Sequence, residues 1–283
     1  MLTVLDIIKR TTDFFAAKGI ESPRLNAELL IGHSLGLKRM QLYLQFERLL
    51  SEAELERLRP MVRRRGQHEP VQYILGETEF CGLKLKVDKR ALIPRPETET
   101  LVENVIAALS DRPPDRLLDL GTGSGAIALA LVHAFPASRA TALDLSEEAL
   151  ALARANAELT GLSDRLQFVC SRWFEGLPSD AVFEAIVANP PYLTAEETAH
   201  AAPEVRDFEP VSALTAGEEG LADLREIFIA APRHLVPGGL LAVESGIAHH
   251  SRLLEIAAAV GFARAESRRD LAGRDRFVLA WMP

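Results

Sequence analysis

The sequence predicts an α/β chain: a Rossmann-like sheet, mostly parallel with an antiparallel edge strand, preceded by a small N-terminal bundle of helices. Three observations carry that expectation. From residue 96 onward, short apolar runs alternate with amphipathic stretches of helical length, the pattern of a doubly wound sheet. A glycine-rich loop, Asp119-Leu120-Gly121-Thr122-Gly123-Ser124-Gly125, follows the first of those runs and opens a helix. Before residue 73 the chain shows only helical periodicity and helix-capping residues.

In chain order, Leu5, Ile8, Phe15 and Ala16 share one helix face, and Gly19 stops it. Ser22-Pro23 reads as an N-cap and a first-turn proline, with Leu25, Leu29, Leu30 and Leu35 periodic behind it and Gly36 as terminator. Ser51 with Glu54 forms a capping box leading through Leu55, Leu58 and Val62 to Gly66. These helices define a domain over 1–72 that offers no catalytic cluster and reads as a recognition module. A β-hairpin linker follows over 73–95, with Phe80, Leu83, Leu85 and Val87 around Gly82. Ile93-Pro94-Arg95-Pro96-Glu97 then forces an extended path into a helix starting near Glu97. The larger domain spans 96–283. Its expected strands are 116–120, 140–143, 166–170, 185–188 and 240–244, and its helices 126–135, 147–159 and 221–235. Pro237-Gly238-Gly239 reads as a turn. Two last strands, 263–268 and 276–281, are joined by so short a segment that they form a hairpin, which makes the sheet mixed at one edge.

Composition excludes several classes of function. The 283 residues carry 32 Lys and Arg against 40 Asp and Glu, a net charge of −8. Stable coating of nucleic acid, which needs a strongly basic surface, is not expected. Two cysteines, Cys81 and Cys170, build neither a disulfide framework nor a zinc site, and the seven histidines include no H-x-x-x-H pair. No metal is expected. The N-terminus lacks the apolar core of a signal peptide, and nowhere do 18 apolar residues run together, so the reading is a cytoplasmic protein with no membrane association.

Two constellations carry chemistry. The glycines of the loop let the backbone turn sharply and approach a ligand. Asp144 ends the second strand, where a carboxylate can accept both hydroxyls of a ribose. Loop and acid together indicate an adenosine-containing cofactor. The G-x-G-x-G spacing, followed by Ala126, departs from a dinucleotide fingerprint and tilts the reading toward S-adenosylmethionine. The second constellation is Asn189-Pro190-Pro191-Tyr192, directly after an apolar strand. Asn189 offers a side-chain oxygen and Pro190 a backbone carbonyl as acceptors, Pro191 stiffens the turn, and Tyr192 presents a flat ring. Such a receptor suits a planar amide or an exocyclic amine. Glu97 and Glu99 read as first-turn charges or as part of the site rim, and Glu244 as a strand-end acid able to face the site. Arg63-Arg64-Arg65 reads as a solvated helix end, or as a basic run that a protein or RNA partner could touch.

Beyond these residues, Gly66-Gln67-His68-Glu69-Pro70-Val71-Gln72-Tyr73-Ile74-Leu75-Gly76, Leu92-Ile93-Pro94-Arg95-Pro96-Glu97-Thr98-Glu99 and Glu204-Val205-Arg206-Asp207-Phe208-Glu209-Pro210 run in order along the chain. With the loop and the tetrad, they make the chain resemble the HemK/PrmC family of protein-(glutamine-N5) methyltransferases that modify peptide chain release factors. The resemblance implies a class I S-adenosylmethionine-dependent methyltransferase fold and a helical substrate-recognition domain. It implies cofactor-binding roles for Gly121, Thr122, Gly123, Ser124, Gly125, Asp144, Trp173 and Asn189. It further implies that Asn189, Pro190, Pro191 and Tyr192 bind the target glutamine, with Asn189, Pro190 and Tyr192 catalytic, and that S-adenosyl-L-homocysteine is the by-product. Arg172 stands where the family pattern suggests an acid before the tryptophan, which puts the adenine contacts in question. Two other readings stay open on the residues alone: adenine-N6 methylation of nucleic acid, and a binding module that has kept the fold without catalysis.

Overall fold

A computed structural model describes residues 2–217 and 220–283. The chain divides into two compact units, one of 1–76 with 202–208, the other of 77–201 with 209–283.

The first unit contains α1 (Val4–Ala17), α2 (Pro23–Leu35), α3 (Arg39–Tyr43), α4 (Glu52–Arg65) and α5 (Val71–Leu75). Ser51 and Glu54 close the expected capping box at α4, and Thr3 with Asp6 closes another at α1. Val4, Ile8, Phe15, Leu30, Ile31 and Leu42 form its apolar core. Two expectations are corrected. Ser22 does not cap α2 with its side chain; it sits in the left-handed region at φ 48°, and the Asn26 amide instead donates to the carbonyls of Glu21 and Ser22 at 3.0 and 3.1 Å. Nor is Arg65 part of a solvated helix end. Its side chain is 2% exposed, with Nε donating to Asn26 Oδ1 at 2.7 Å, Nη1 to the Glu69 carbonyl at 3.0 Å and Nη2 to Glu204 at 2.6 Å. A guanidinium so enclosed is held by donating to three fixed acceptors. The position 72/73 falls inside α5, and the segment 202–208, far along the chain, groups with this unit.

The second unit opens with a hairpin, β1 (Glu77–Phe80) and β2 (Leu83–Lys86), joined by Cys81-Gly82, both at positive φ as a tight two-residue turn needs. There follow α6 (Pro96–Leu109), β3 (Arg116–Leu120), α7 (Ala126–Ala134), β4 (Arg139–Asp144), α8 (Glu147–Thr160), β5 (Leu166–Cys170), β6 (Phe183–Ala188) and α9 (Ala195–His200). After α10 (Pro203–Phe208), which lies in the first unit, come α11 (Ala222–Ala230), β7 (Leu235–Glu244), α12 (His250–Ala259), β8 (Arg264–Arg269) and β9 (Asp275–Trp281). The sheet order is β5-β4-β3-β6-β7-β9-β8, with β3 to β7 parallel. The reversed strand is β9, which pairs antiparallel with β7 and with the edge strand β8.

Alternate residues of each strand bury on opposite faces. Leu117, Ala140, Val187, Leu240 and Leu279 join α6 and α7 on one side. Leu118, Leu143, Ile186, Leu241 and Val278 join α11 and α12 on the other. Burial on both faces explains why the central strands read as nearly continuous apolar runs. The helix expected over 221–235 ends earlier, at Ala230, and Pro237-Gly238-Gly239 is no free turn. It lies within β7, where pairing jumps from Phe183↔Leu235 to Ala185↔Leu240, so the extra residues are absorbed as a bulge.

Candidate active site

Chain order runs outward one way from β3 through β4 and β5 and the other way through β6 and β7, so the sheet reverses direction between β3 and β6. Open α/β sheets bind ligands beyond the carboxyl ends of the strands at such a point. The register lines up the exits. Leu120 pairs with Leu143 and with Ala188, and Ala188 pairs with Val243. The next residues, Gly121, Asp144, Asn189 and Glu244, therefore leave four neighbouring strands side by side.

A cleft of about 460 Å³ opens there, a size suited to a small organic ligand. Gly121, Thr122, Gly123, Ser124, Asp144, Trp173, Asn189 and Pro191 line it, together with Thr98 and Asp223. Gly125, Pro190 and Tyr192 lie outside its lining. Gly125 instead starts α7 at φ 84°, packed where an added Cβ would stand 3.1 Å from Ala153 Cβ.

The loop is held from both ends by carboxylates. Asp144 Oδ2 accepts from Gly123 N–H at 2.8 Å and Oδ1 from Ser146 N–H at 2.9 Å. Burial raises its pKa against these hydrogen bonds. Ser146, not Asp144, caps α8, its hydroxyl accepting from Ala149 N–H at 3.2 Å. Beneath the loop, Asp119 Oδ2 accepts from the Thr122 hydroxyl at 2.6 Å and from Ala128 N–H at 3.1 Å, while Oδ1 has no partner among the described residues. Burial pushes its carboxyl up to about 7. From a third side, buried Asn156 of α8 donates to the Ser124 carbonyl at 2.9 Å and to the Lys86 carbonyl at 3.0 Å, and accepts from Lys86 N–H at 2.7 Å.

Trp173 sits at φ 43°, a rare conformation for an aromatic residue, with its ring edge 3.4 Å from where a Cβ on Gly121 would stand. Its indole N–H donates to Asp223 Oδ1 at 3.2 Å. Arg172 is exposed and turns to α11, pairing with Glu226 at 2.6 Å and Asp223 at 3.6 Å. Acidity beside the tryptophan thus comes from Asp223 on a different element. These residues fit S-adenosylmethionine: a glycine-loop backbone bordering the cleft, an aromatic wall and a carboxylate at a strand end.

On the far side of the cleft, Asn189 Nδ2 donates to Thr98 Oγ1 at 3.1 Å. Thr98 donates to Glu244 Oε2 at 2.8 Å, and the Tyr192 hydroxyl donates to Glu244 Oε1 at 3.0 Å. The Arg276 guanidinium lies 5.7 Å from the centre of the Tyr192 ring and occupies one of its faces. Burial raises the Glu244 pKa, opposed by the two hydroxyl donors and by Arg276, and burial beside Glu244 raises that of Tyr192. Thr98, Asn156 and Asp223 escaped the sequence reading; only Thr98, lying between two noted acids, carried any local signal. Glu97 and Glu99 serve elsewhere: Glu97 meets Arg274 at 3.4 Å, and Glu99 accepts from Cys81 N–H at 2.6 Å. Extended chain before α6 is anchored by Glu209, which accepts from Ile93 N–H at 3.2 Å and pairs with Arg95. Among the described residues no group of three or more His, Cys, Asp or Glu could hold a metal, and no helix is long and apolar enough to cross a membrane.

Comparisons with known proteins identify the family and the fold. Residues 6–76 match the PrmC N-terminal domain and residues 97–205 the methyltransferase small domain. A release factor glutamine methyltransferase of Rhodopirellula baltica is 40% identical over 98% of this chain and 95% of its own. That of Chlorobaculum tepidum is 46% identical over 86% of this chain and 85% of its own. Among solved structures, the 16S rRNA N2 methyltransferase RsmC of T. thermophilus, in complex with AdoMet and guanosine, has a TM-score of 0.54 at 18% identity. It covers 73% of this chain and 50% of its own, a likeness of fold. Similarity sustained along nearly the whole sequence places this chain in the release factor glutamine methyltransferase family.

Proposed function

We propose that the chain methylates the side-chain amide nitrogen, N5, of the glutamine in the Gly-Gly-Gln motif of peptide chain release factors, in the cytoplasm and without stable binding to nucleic acid. It is an S-adenosylmethionine-dependent methyltransferase, and the bound cofactor supplies an activated sulfonium methyl group. Gly121 to Ser124, Asp144 and Trp173 hold the cofactor, with Gly125 making the turn into α7 behind them, and Asn189, Pro190, Pro191 and Tyr192 hold the glutamine.

An amide nitrogen is a poor nucleophile because its lone pair is delocalised into the carbonyl. The protein's task is therefore orientation and exclusion of water, worth on the order of 7–11 kcal/mol in favourable cases. Asn189 Oδ1 and the Pro190 carbonyl accept the two amide hydrogens and aim the nitrogen into the cleft. Asn189 also borders the loop that holds the cofactor, so it belongs to both subsites. The observation that carries this reading is the hydrogen bond from Asn189 Nδ2 to Thr98, which commits the amino group of Asn189 to the protein. An exocyclic adenine amine would suit the same acceptors, and membership of the family favours the amide.

The test incubates the protein with labelled S-adenosylmethionine and a release factor and maps the methyl-sized mass gain by peptide sequencing. Label on the Gly-Gly-Gln glutamine is expected. Unchanged labelling of a release factor lacking that glutamine would refute the reading.

A further inference from the structure

Behind the tetrad lies a buried polar chain that the proposed transfer does not itself use. Glu244 is 2% exposed at the end of β7, and its strand is the neighbour of the one that delivers Asn189. One carboxylate oxygen accepts from Thr98 and the other from Tyr192. Thr98, the third residue of α6, is 4% exposed and borders the cleft. Enclosing a carboxylate this deeply is an expensive way to pack two strand ends, since an apolar residue would do so without desolvation. A carboxylate supplies something an apolar residue cannot, a fixed direction for the hydrogens around it.

The direction follows from counting hydrogens. A threonine hydroxyl has one hydrogen and two lone pairs, and an ionised carboxylate has only acceptors. Both oxygens of Glu244 are acceptors in the structure, one from Thr98 and one from Tyr192, so the single hydrogen of Thr98 is donated to Glu244 and lone pairs alone face Asn189. Asn189 can then meet Thr98 only through its NH2 group, as observed at 3.1 Å. The amide plane puts the carbonyl oxygen on the opposite side. Among the described residues that oxygen receives no hydrogen bond, and Asn189 borders the cleft. At the other end of the tetrad, Tyr192 is fixed by the second oxygen of the same carboxylate.

We propose that Thr98 and Glu244 are positioning residues that set the polarity of the tetrad, holding Asn189 with its acceptor, and never its donor, toward the substrate amide. The inference rests on the reading of Asn189 as an acceptor for an amide hydrogen. Without the carboxylate, the Thr98 hydrogen is free to turn to Asn189 Oδ1. The Asn189 amide then rotates, its NH2 confronts the NH2 of the glutamine, and two donors oppose each other where one bond is required.

The experiment measures kcat, both KM values, cofactor affinity by calorimetry and melting temperature for T98V, T98S, E244Q and N189A, and for the T98V/N189A double variant. T98V keeps the shape of threonine without the hydroxyl. E244Q keeps the shape of the carboxylate but adds a donor. Each should lower kcat by about 10-fold or more, with cofactor affinity and the KM for the cofactor within about twofold of the parent. T98S, which returns the hydroxyl, should recover most of what T98V loses. In the N189A background T98V should cost little further, because its effect passes through Asn189. Parental kcat in T98V, or equal losses from T98V with and without Asn189, overturns the proposal. So does loss of cofactor affinity in step with kcat, which would mark Thr98 as a general support. If E244Q fails to fold, the pair T98V and T98S decides. Full activity of N189A would instead sink the reading of the tetrad on which the inference stands.

Discussion

Asn156 offers the most direct test of how the glycine loop is held. It has no exposed surface, and its carboxamide makes three hydrogen bonds of 2.7 to 3.0 Å, two to the backbone of Lys86 and one to the Ser124 carbonyl. Asn156→Ala removes all three and leaves the Lys86 N–H and two carbonyls without this partner. Each bond contributes about 0.5–1.5 kcal/mol net, and a buried group left without a partner costs toward the upper end of that range. The expected loss is therefore about 3 kcal/mol. For a unit of this size it corresponds to a fall in Tm of roughly 2–4 °C per kcal/mol. Urea denaturation followed by fluorescence measures it, provided the slope against urea stays constant so that the midpoint alone reports stability. Cofactor affinity should fall as well, because the same side chain fixes the loop at Ser124. A loss below about 1 kcal/mol at constant slope, with cofactor affinity intact, would refute the claim that Asn156 ties hairpin, helix and loop together.

Three further outcomes follow from described contacts. Arg65→Met should destabilise the N-terminal helices by about 2–3 kcal/mol, less than a fully buried pair because Glu204 is 30% exposed; limited proteolysis of that unit reads it. Gly125→Ala should cost about 2 kcal/mol in thermal unfolding, from a left-handed φ of 84° and a Cβ crowded against Ala153. Asp119 has its folded carboxyl raised from 3.8 to about 7, so its contribution favours folding below its ordinary pKa and is lost as pH rises through about 7. Asp119→Asn should therefore gain stability relative to the parent, without cofactor, between about pH 4 and pH 7 in urea titrations; a constant difference across that window would contradict the assignment.

What could be read from the sequence was mostly local. Ser51 with Glu54, the loop Gly121 to Gly125 and the hairpin around Gly82 depend on residues within a few positions of one another, and their chemistry shows in any short window. Apolar runs buried on both faces likewise announce β3, β6 and β7. Partners that meet only after folding left no such trace. Thr98 and Glu244 are 146 positions apart, Arg65 and Glu204 139, and Asn156 and Lys86 70. No periodicity encodes those pairs, so Arg65 looked like an ordinary charged helix end. Helix α5 is only five residues long, too short for its period to stand out. Pro237-Gly238-Gly239 misled for a different reason: it has the residues of a turn, yet the strand pairing on either side overrides it and stores the excess chain as a bulge.

The grouping of 202–208 with the N-terminal helices has a practical consequence for anyone rebuilding this enzyme. Cutting the gene at codon 76 would not release the whole N-terminal unit, because one of its helices is encoded more than a hundred codons downstream. A fragment ending there would lose the Glu204 partner of its enclosed arginine. The remainder would keep an orphan helix in the middle of its catalytic half. Exchanging this unit between relatives therefore means moving two separate stretches of sequence together.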